Sequence, residues 1–228
     1  MSERAIGRSV LDTVGGIPLF LTAPLYRRWH LRWGATDEEV HARMPGDEIV
    51  ADASFTATRA ITINAAPEQV WPWIVQIGYR RAGFYTYDLL DNAGYPSATT
   101  ILPQYQHVQT GDRMPMAKTV TDTTAFTVTA FDTGSWLLWE KPDSTWAWQL
   151  IPRDRGRTRL ISRLRQRYRW QTPGPALLTV VLLEFGDYPM MRRLLTGIKA
   201  RAEHKKDGRS PDTATNPPPG HEHDVADS

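Results

Sequence analysis

The stretch Ile61-Thr62-Ile63-Asn64-Ala65-Ala66-Pro67-Glu68-Gln69-Val70-Trp71 sets the reading of the fold. Its first three residues close a β-branched, alternating run that starts at Phe55, the pattern of a strand with one covered face. Pro67 then suits the first turn of a helix, where its missing N–H is not needed, and Glu68 complements the positive helix N-terminus. Val70, Trp73, Ile74 and Ile77 recur at helical spacing. A strand therefore runs straight into a helix with one apolar face, which Pro72 bends or shortens and Gly78 ends.

Downstream, a second short helix is expected over residues 87–92, closed by Gly94 and Pro96, with a Pro-, Thr- and Gln-rich loop as far as Thr110. The period then changes to two. Strands are expected near 112–117, 123–131, 135–140, 145–152 and 157–169, with turns at 132–134, 141–144 and 153–156, which makes an antiparallel meander. In the last strand Arg157, Arg159, Arg163, Arg165, Arg167 and Arg169 alternate with Leu160, Ser162, Leu164, Gln166 and Tyr168. A one-sided sheet follows, its arginines on a solvated outer face and paired with carboxylates of neighbouring strands; an anion surface is the functional alternative. Beyond Pro175 an apolar run continues among basic residues to about His204, a long terminal helix. Gly186 is expected to interrupt it, with Asp187 re-capping and Pro189 in the new first turn.

Upstream, Thr36 and Glu39 have the spacing of a capping box for a short helix over 36–43, stopped by Pro45 and Gly46. Residues 1–33 are locally basic, with Leu19, Phe20, Leu21, Leu25, Trp29 and Trp33 as apolar partners. This arm is expected to pack back on the domain, or to rest on an anionic membrane surface. Its most apolar part, 14–26, carries two Gly and two Pro and is too short to span a bilayer, which takes about 20 residues. Asp12 also makes it a poor signal peptide. The tail from Lys205 is polar and Pro-rich and is expected to be disordered.

The chain has 228 residues, 41% apolar and 23% charged, enough for one domain with a sizeable core. The formal net charge is only +2, which implies no nucleic-acid partner. There is no cysteine, so disulfides, thiolate metal sites and cysteine nucleophiles are excluded, and a cytoplasmic location is expected.

The order strand, two helices, five-strand meander and long helix, together with residues 61–71, resembles the helix-grip fold of the SRPBCC superfamily. That superfamily includes START lipid-transfer domains, plant allergen-like steroid binders and aromatic polyketide cyclases. Arg32-Trp33-Gly34-Ala35-Thr36, Gly83-Phe84-Tyr85-Thr86-Tyr87-Asp88, Val108-Gln109-Thr110-Gly111-Asp112-Arg113 and Gly186-Asp187-Tyr188-Pro189-Met190-Met191-Arg192-Arg193 are similar to a mostly actinobacterial subgroup. The resemblance implies an α+β fold, a curved antiparallel sheet wrapped around a long C-terminal helix with two short helices after the first strand. The division expected is an extension over 1–54, the helix-grip domain over 55–204 and the tail over 205–228. It also implies a cavity for lipids, sterols, polyketides or other bulky apolar molecules, and no fixed catalytic set.

Motifs for hydrolysis or nucleotide binding are missing: there is no Gly-x-Ser-x-Gly and no phosphate-binding Gly-rich loop. His30, His41, His107 and His204 are scattered, and His221-Glu222-His223 lies in the tail, so neither a metal nor a cofactor is expected. Candidates for acid or base work are Tyr85, Tyr87, Asp88, His107, Asp112 and Arg113. Each has a structural reading as well: Asp88 as a cap, Asp112 and Arg113 ordering a turn, the tyrosines packing. Of Trp136, Trp139, Trp146 and Trp148, either Trp139 or the pair Trp136 and Leu138 faces inward. Tyr85, Tyr87, Trp139, Trp146, Trp148 and Phe185 are the residues expected to line a ligand site, and no catalytic residue is assigned. The expected function is binding or transport of a hydrophobic small molecule or lipid, with a polyketide cyclase or dehydratase as the alternative.

Overall fold

The computed structural model describes residue 18 and residues 21–168, 170–171 and 173–204. The expected disordered tail from 205, the first 17 residues of the expected arm with its Leu19 and Phe20, and Arg169 of the expected last strand therefore lie outside the described residues. Short helices at Arg27–His30 (α1) and Asp37–His41 (α2) precede the strand Phe55–Ile63 (β1), which ends where the alternation ends. Pro67–Val75 (α3) follows, with Pro67 in its first turn and Pro72 inside it, and then Asp88–Asp91 (α4). The meander comprises Arg113–Pro115 (β2), Ala125–Asp132 (β3), Trp136–Lys141 (β4), Ser144–Arg153 (β5) and Arg157–Gln166 (β6). All pairings are antiparallel, in the order β1-β6-β5-β4-β3-β2, with a bulge between Val128 and Ala130. The fold is the expected α+β helix grip.

Two helical segments, Pro173–Val181 (α5) and Asp187–Glu203 (α6), are joined by a π-turn over Leu182–Gly186. The expected break at Gly186 is absent: Gly186 itself is helical (φ −92, ψ −35). Pro189 lacks an N–H and its ring crowds the carbonyl four residues back, so a locally wider turn carries the helix past it without a break. Asp187 does not cap, because its carboxylate is 2.7 Å from the Arg59 guanidinium.

Against the concave face of the sheet, Leu194, Leu195 and Ile198 of α6 and Val70, Ile74 and Ile77 in and after α3 form one core with Leu137, Trp139, Trp146, Trp148, Leu150 and Leu160. Each of those sheet residues lies two positions from the next on its strand, as the pleat requires. Trp139 faces inward, and Trp136 and Leu138 face outward.

The outer face corrects the expectation of a one-sided sheet. Residues 34–52 lie across it, and Met44 (2% exposed) packs with Ala60, Leu138, Ala147 and Ile161. The arginine row of β6 fastens this strap. Arg159 forms a two-pronged ion pair with Glu39 at 2.7 Å, Arg163 binds Asp47 at 2.6 Å and the carbonyls of Glu39, Val40 and Ala42, and Arg167 pairs with Asp52. Most partners of these arginines thus come from the strap; Arg167 also reaches Asp143 in the β4–β5 turn at 3.2 Å, and Arg163 is nearly fully buried. The capping box forms as expected: Thr36 Oγ1 accepts from the Glu39 N–H and Glu39 Oε2 from the Thr36 N–H. The free edge of β1 is covered too, since the N–H groups of Thr58 and Ala60 donate to the carbonyls of Leu31 and Trp33.

Candidate functional site

Three places in the fold have chemistry to offer. The first is the tryptophan cluster. Register sets Trp139 opposite Trp146 and Leu137 opposite Trp148, and the three indoles meet with centroids 5.0–5.6 Å apart. All three are at most 4% exposed. Trp146 Nε1 donates to Ser162 Oγ at 2.8 Å, whereas the buried Trp148 Nε1 has no hydrogen-bond partner. These residues make ring contacts with one another and with Phe126, and none of them lines the clefts that follow.

The second place is a cleft of about 460 Å³ at the end of the sheet-helix interior. Its floor is core: Trp71 of α3 (7% exposed) and Leu150 of β5 (2% exposed). Pro67 and Pro152 flank it, and Glu68 with the β3–β4 turn, Thr133-Gly134-Ser135, forms a polar lip. The turn is held over β5 by the Leu150 N–H donating to the Ser135 carbonyl at 2.7 Å. Sequence reading marked Trp71 and the turn separately; what it lacked was the register that sets one above the other.

The third is a polar cleft of about 310 Å³ between the loop after α3 and α6, lined by Tyr85, Thr86, Asp88, Ser97, Arg193, Thr196, Gly197 and Arg201. Gly197 allows the close approach, because a Cβ there would stand 2.7 Å from both the carbonyl oxygen and Cβ of Tyr85. Tyr85 is itself left-handed (φ 58), a strained conformation for a non-glycine residue. Its hydroxyl donates to the Trp73 carbonyl at 3.0 Å and accepts from Gln76 Nε2 at 2.9 Å, and burial pushes its pKa far up. Arg201 lies over the Tyr85 ring and Arg193 over the Tyr87 ring. Asp88 accepts from the Ser97 N–H and Oγ, and the neighbouring Asp91 is pushed up to about 7 by burial, with Asp88's charge adding to the shift. Arg193 entered the sequence reading only within the terminal-helix motif and Arg201 not at all, although Arg193, Gly197 and Arg201 recur every four residues along one helix face.

The expected ligand residues are not gathered in one place. Trp139, Trp146 and Trp148 are in the core, Tyr85 lines the polar cleft, Tyr87 is buried under Arg193, and Phe185 is 38% exposed in the π-turn. Of the acid–base candidates Asp88 and Tyr85 line the polar cleft. His107 and Asp112 are exposed, and Asp112 accepts from the Gln109 N–H in its own turn. Arg113 reaches Asp122 at 3.0 Å and the Thr121 carbonyl at 2.7 Å. Among the described residues no helix is long and apolar enough to cross a membrane.

No protein family matches the chain, and no curated protein does. Among solved structures it is similar to a Polyketide_cyc-like protein from Corynebacterium glutamicum, at 13% identity over 63% of this chain and 88% of that one, with a TM-score of 0.40. A hypothetical protein from Helicobacter pylori matches at 13% identity over 70% and 95% of the two chains, with a TM-score of 0.44. A protein from Staphylococcus saprophyticus matches at 9% identity over 66% and 93%, with a TM-score of 0.39. With overlap this low, the fold rests on the strand order and terminal helix of the chain itself.

Proposed function

We propose that the domain binds a hydrophobic small molecule or lipid in the cleft over Trp71 and Leu150. The observation that carries this reading is an apolar floor made of core residues beneath an opening of about 460 Å³. Ligand sites commonly occupy about 300–1,000 Å³ and combine such a floor with a few polar groups. The rigid Trp71 indole offers a flat apolar surface at small entropic cost. Glu68, Thr133 and Ser135 on the lip would meet a polar end. The resemblance to lipid- and steroid-binding domains supports the same class of ligand, and the lack of cysteine is in keeping with a cytoplasmic carrier. The test is saturable binding of the neutral probe N-phenyl-1-naphthylamine. Filling the cleft through exposed Thr133, as Thr133→Trp, is expected to weaken it about tenfold with folding unchanged. Equal binding by the variant would sink the proposal.

A cyclase or dehydratase is the second reading, favoured by one observation: Asp88 opens on the same cleft as Arg193 and Arg201. There a carboxylate could move a proton while the guanidiniums hold an anionic or enolic oxygen. Tyr85, its hydroxyl committed to the Trp73 carbonyl and to Gln76, would shape the cleft wall, which leaves the proton transfer to Asp88.

A further inference from the structure

An ordinary surface helix turns its apolar stripe inward. The segment over α5 and the π-turn does the reverse. Leu177, Leu178, Val181, Leu182 and Phe185, at i, i+1, i+4, i+5 and i+8, are 38–61% exposed. The acidic Glu184 turns inward, and its side chain is only 17% exposed. A second segment, far away in sequence, shows the same character: Leu21, Leu25 and Trp29 are 67, 84 and 55% exposed.

The two segments form one surface. Arg27 Nε reaches both Glu184 carboxylate oxygens, at 2.9 and 2.7 Å, and the turn Ala23–Tyr26 packs against the π-turn. Tyr26, Trp29 and His30 also pack on Tyr188, with ring centroids 5.2–6.0 Å away. Isolated exposed leucines need no explanation, but a contiguous patch marks an interaction surface.

Charge identifies the occupant. Both carboxylates of the described residues 21–33 and 173–193 are committed, Glu184 to Arg27 and Asp187 to Arg59. Arg28 and Arg192 are exposed beside them. An aliphatic and indole face with cations and no exposed acid has the chemistry of a helix that lies in a membrane interface. The helical segment over 173–186 is about 21 Å long at 1.5 Å per residue, enough to lie along the interface and too short to cross it.

We propose that this two-segment patch docks the protein on an anionic lipid bilayer, with Leu178 and Leu182 inserted beside Leu25 and Trp29. The contact is thus wider than the arm of residues 1–33. It is independent of the proposed ligand: Arg59–Asp187 places the patch near the middle and start of β1, whereas the Asn64 N–H donating to Glu203 marks the cleft end of the helix.

The experiment is co-sedimentation of the full chain with phosphatidylcholine vesicles, with and without phosphatidylglycerol. Binding to the anionic vesicles, weakened by salt, is expected. Leu178→Asp and Leu182→Asp should each reduce it about tenfold with unchanged circular dichroism, because neither side chain is buried. Thr133→Trp should leave it as in the parent. No binding by the parent, or equal binding by both Asp variants, would overturn the proposal. So would a dimer in size-exclusion chromatography that Leu178→Asp dissolves, since the patch would then belong to a second copy.

Discussion

His30 has no exposed surface, and neither of its ring nitrogens has a hydrogen-bond partner. It stacks on Tyr188 and carries the carbonyl that accepts from Arg59 Nε at 2.7 Å. Burial lowers its pKa, and the adjacent Arg59 charge lowers it further against the pull of Asp187 and Glu184. The native ring therefore stays neutral where an unfolded histidine, with a pKa of about 6.5, takes up a proton. The unfolded state then binds more protons, so the histidine's contribution to stability is present above about pH 6.5 and is lost as the pH falls. Asp91 has the opposite sign: its carboxyl, raised to about 7, makes stability fall as the pH rises towards that value. The contrast with His30→Phe isolates the first effect. Urea midpoints of the parent should drop more than those of the variant between pH 7.5 and 5.5, and parallel slopes would refute the assignment. Sequence could name His30 and Arg59 but not join them, because their contact depends on a chain segment folded back along β1.

At the scale of elements, β1, the capping box and the meander were legible because alternation and capping are local. Strand ends fell within about three residues of those expected, as fraying allows. The strap was not legible. Alternating arginines look the same whether they face water or another segment, and only the third dimension supplies Glu39, Asp47 and Asp52. Gly34 gives the strap a direct test. It adopts φ +73, and a Cβ there would stand 2.1 Å from the Ala60 carbonyl oxygen. Gly156, at φ +64, has open space around it. Both Gly→Ala variants incur backbone strain of about 1 kcal/mol, but only Gly34→Ala must also push the strap off β1, for roughly 3 kcal/mol in all. Denaturation midpoints should separate the two; equal losses would mean that the strap is not seated there.

For the whole molecule, the helix grip was readable from element order alone, whereas the candidate site was not. The expected aromatic ligand residues were chosen for their chemistry, yet Trp139, Trp146 and Trp148 meet one another in the core. The cleft depends instead on how far the β3–β4 turn overhangs α3, a distance that periodicity does not encode. The most direct test of the central claim is native mass spectrometry of the freshly purified protein, with organic extraction of whatever it releases. The account predicts a stoichiometric apolar molecule on the parent, greatly reduced on Thr133→Trp. An adduct equally abundant on both, or a bare mass for the parent together with unsaturable probe binding, would contradict it.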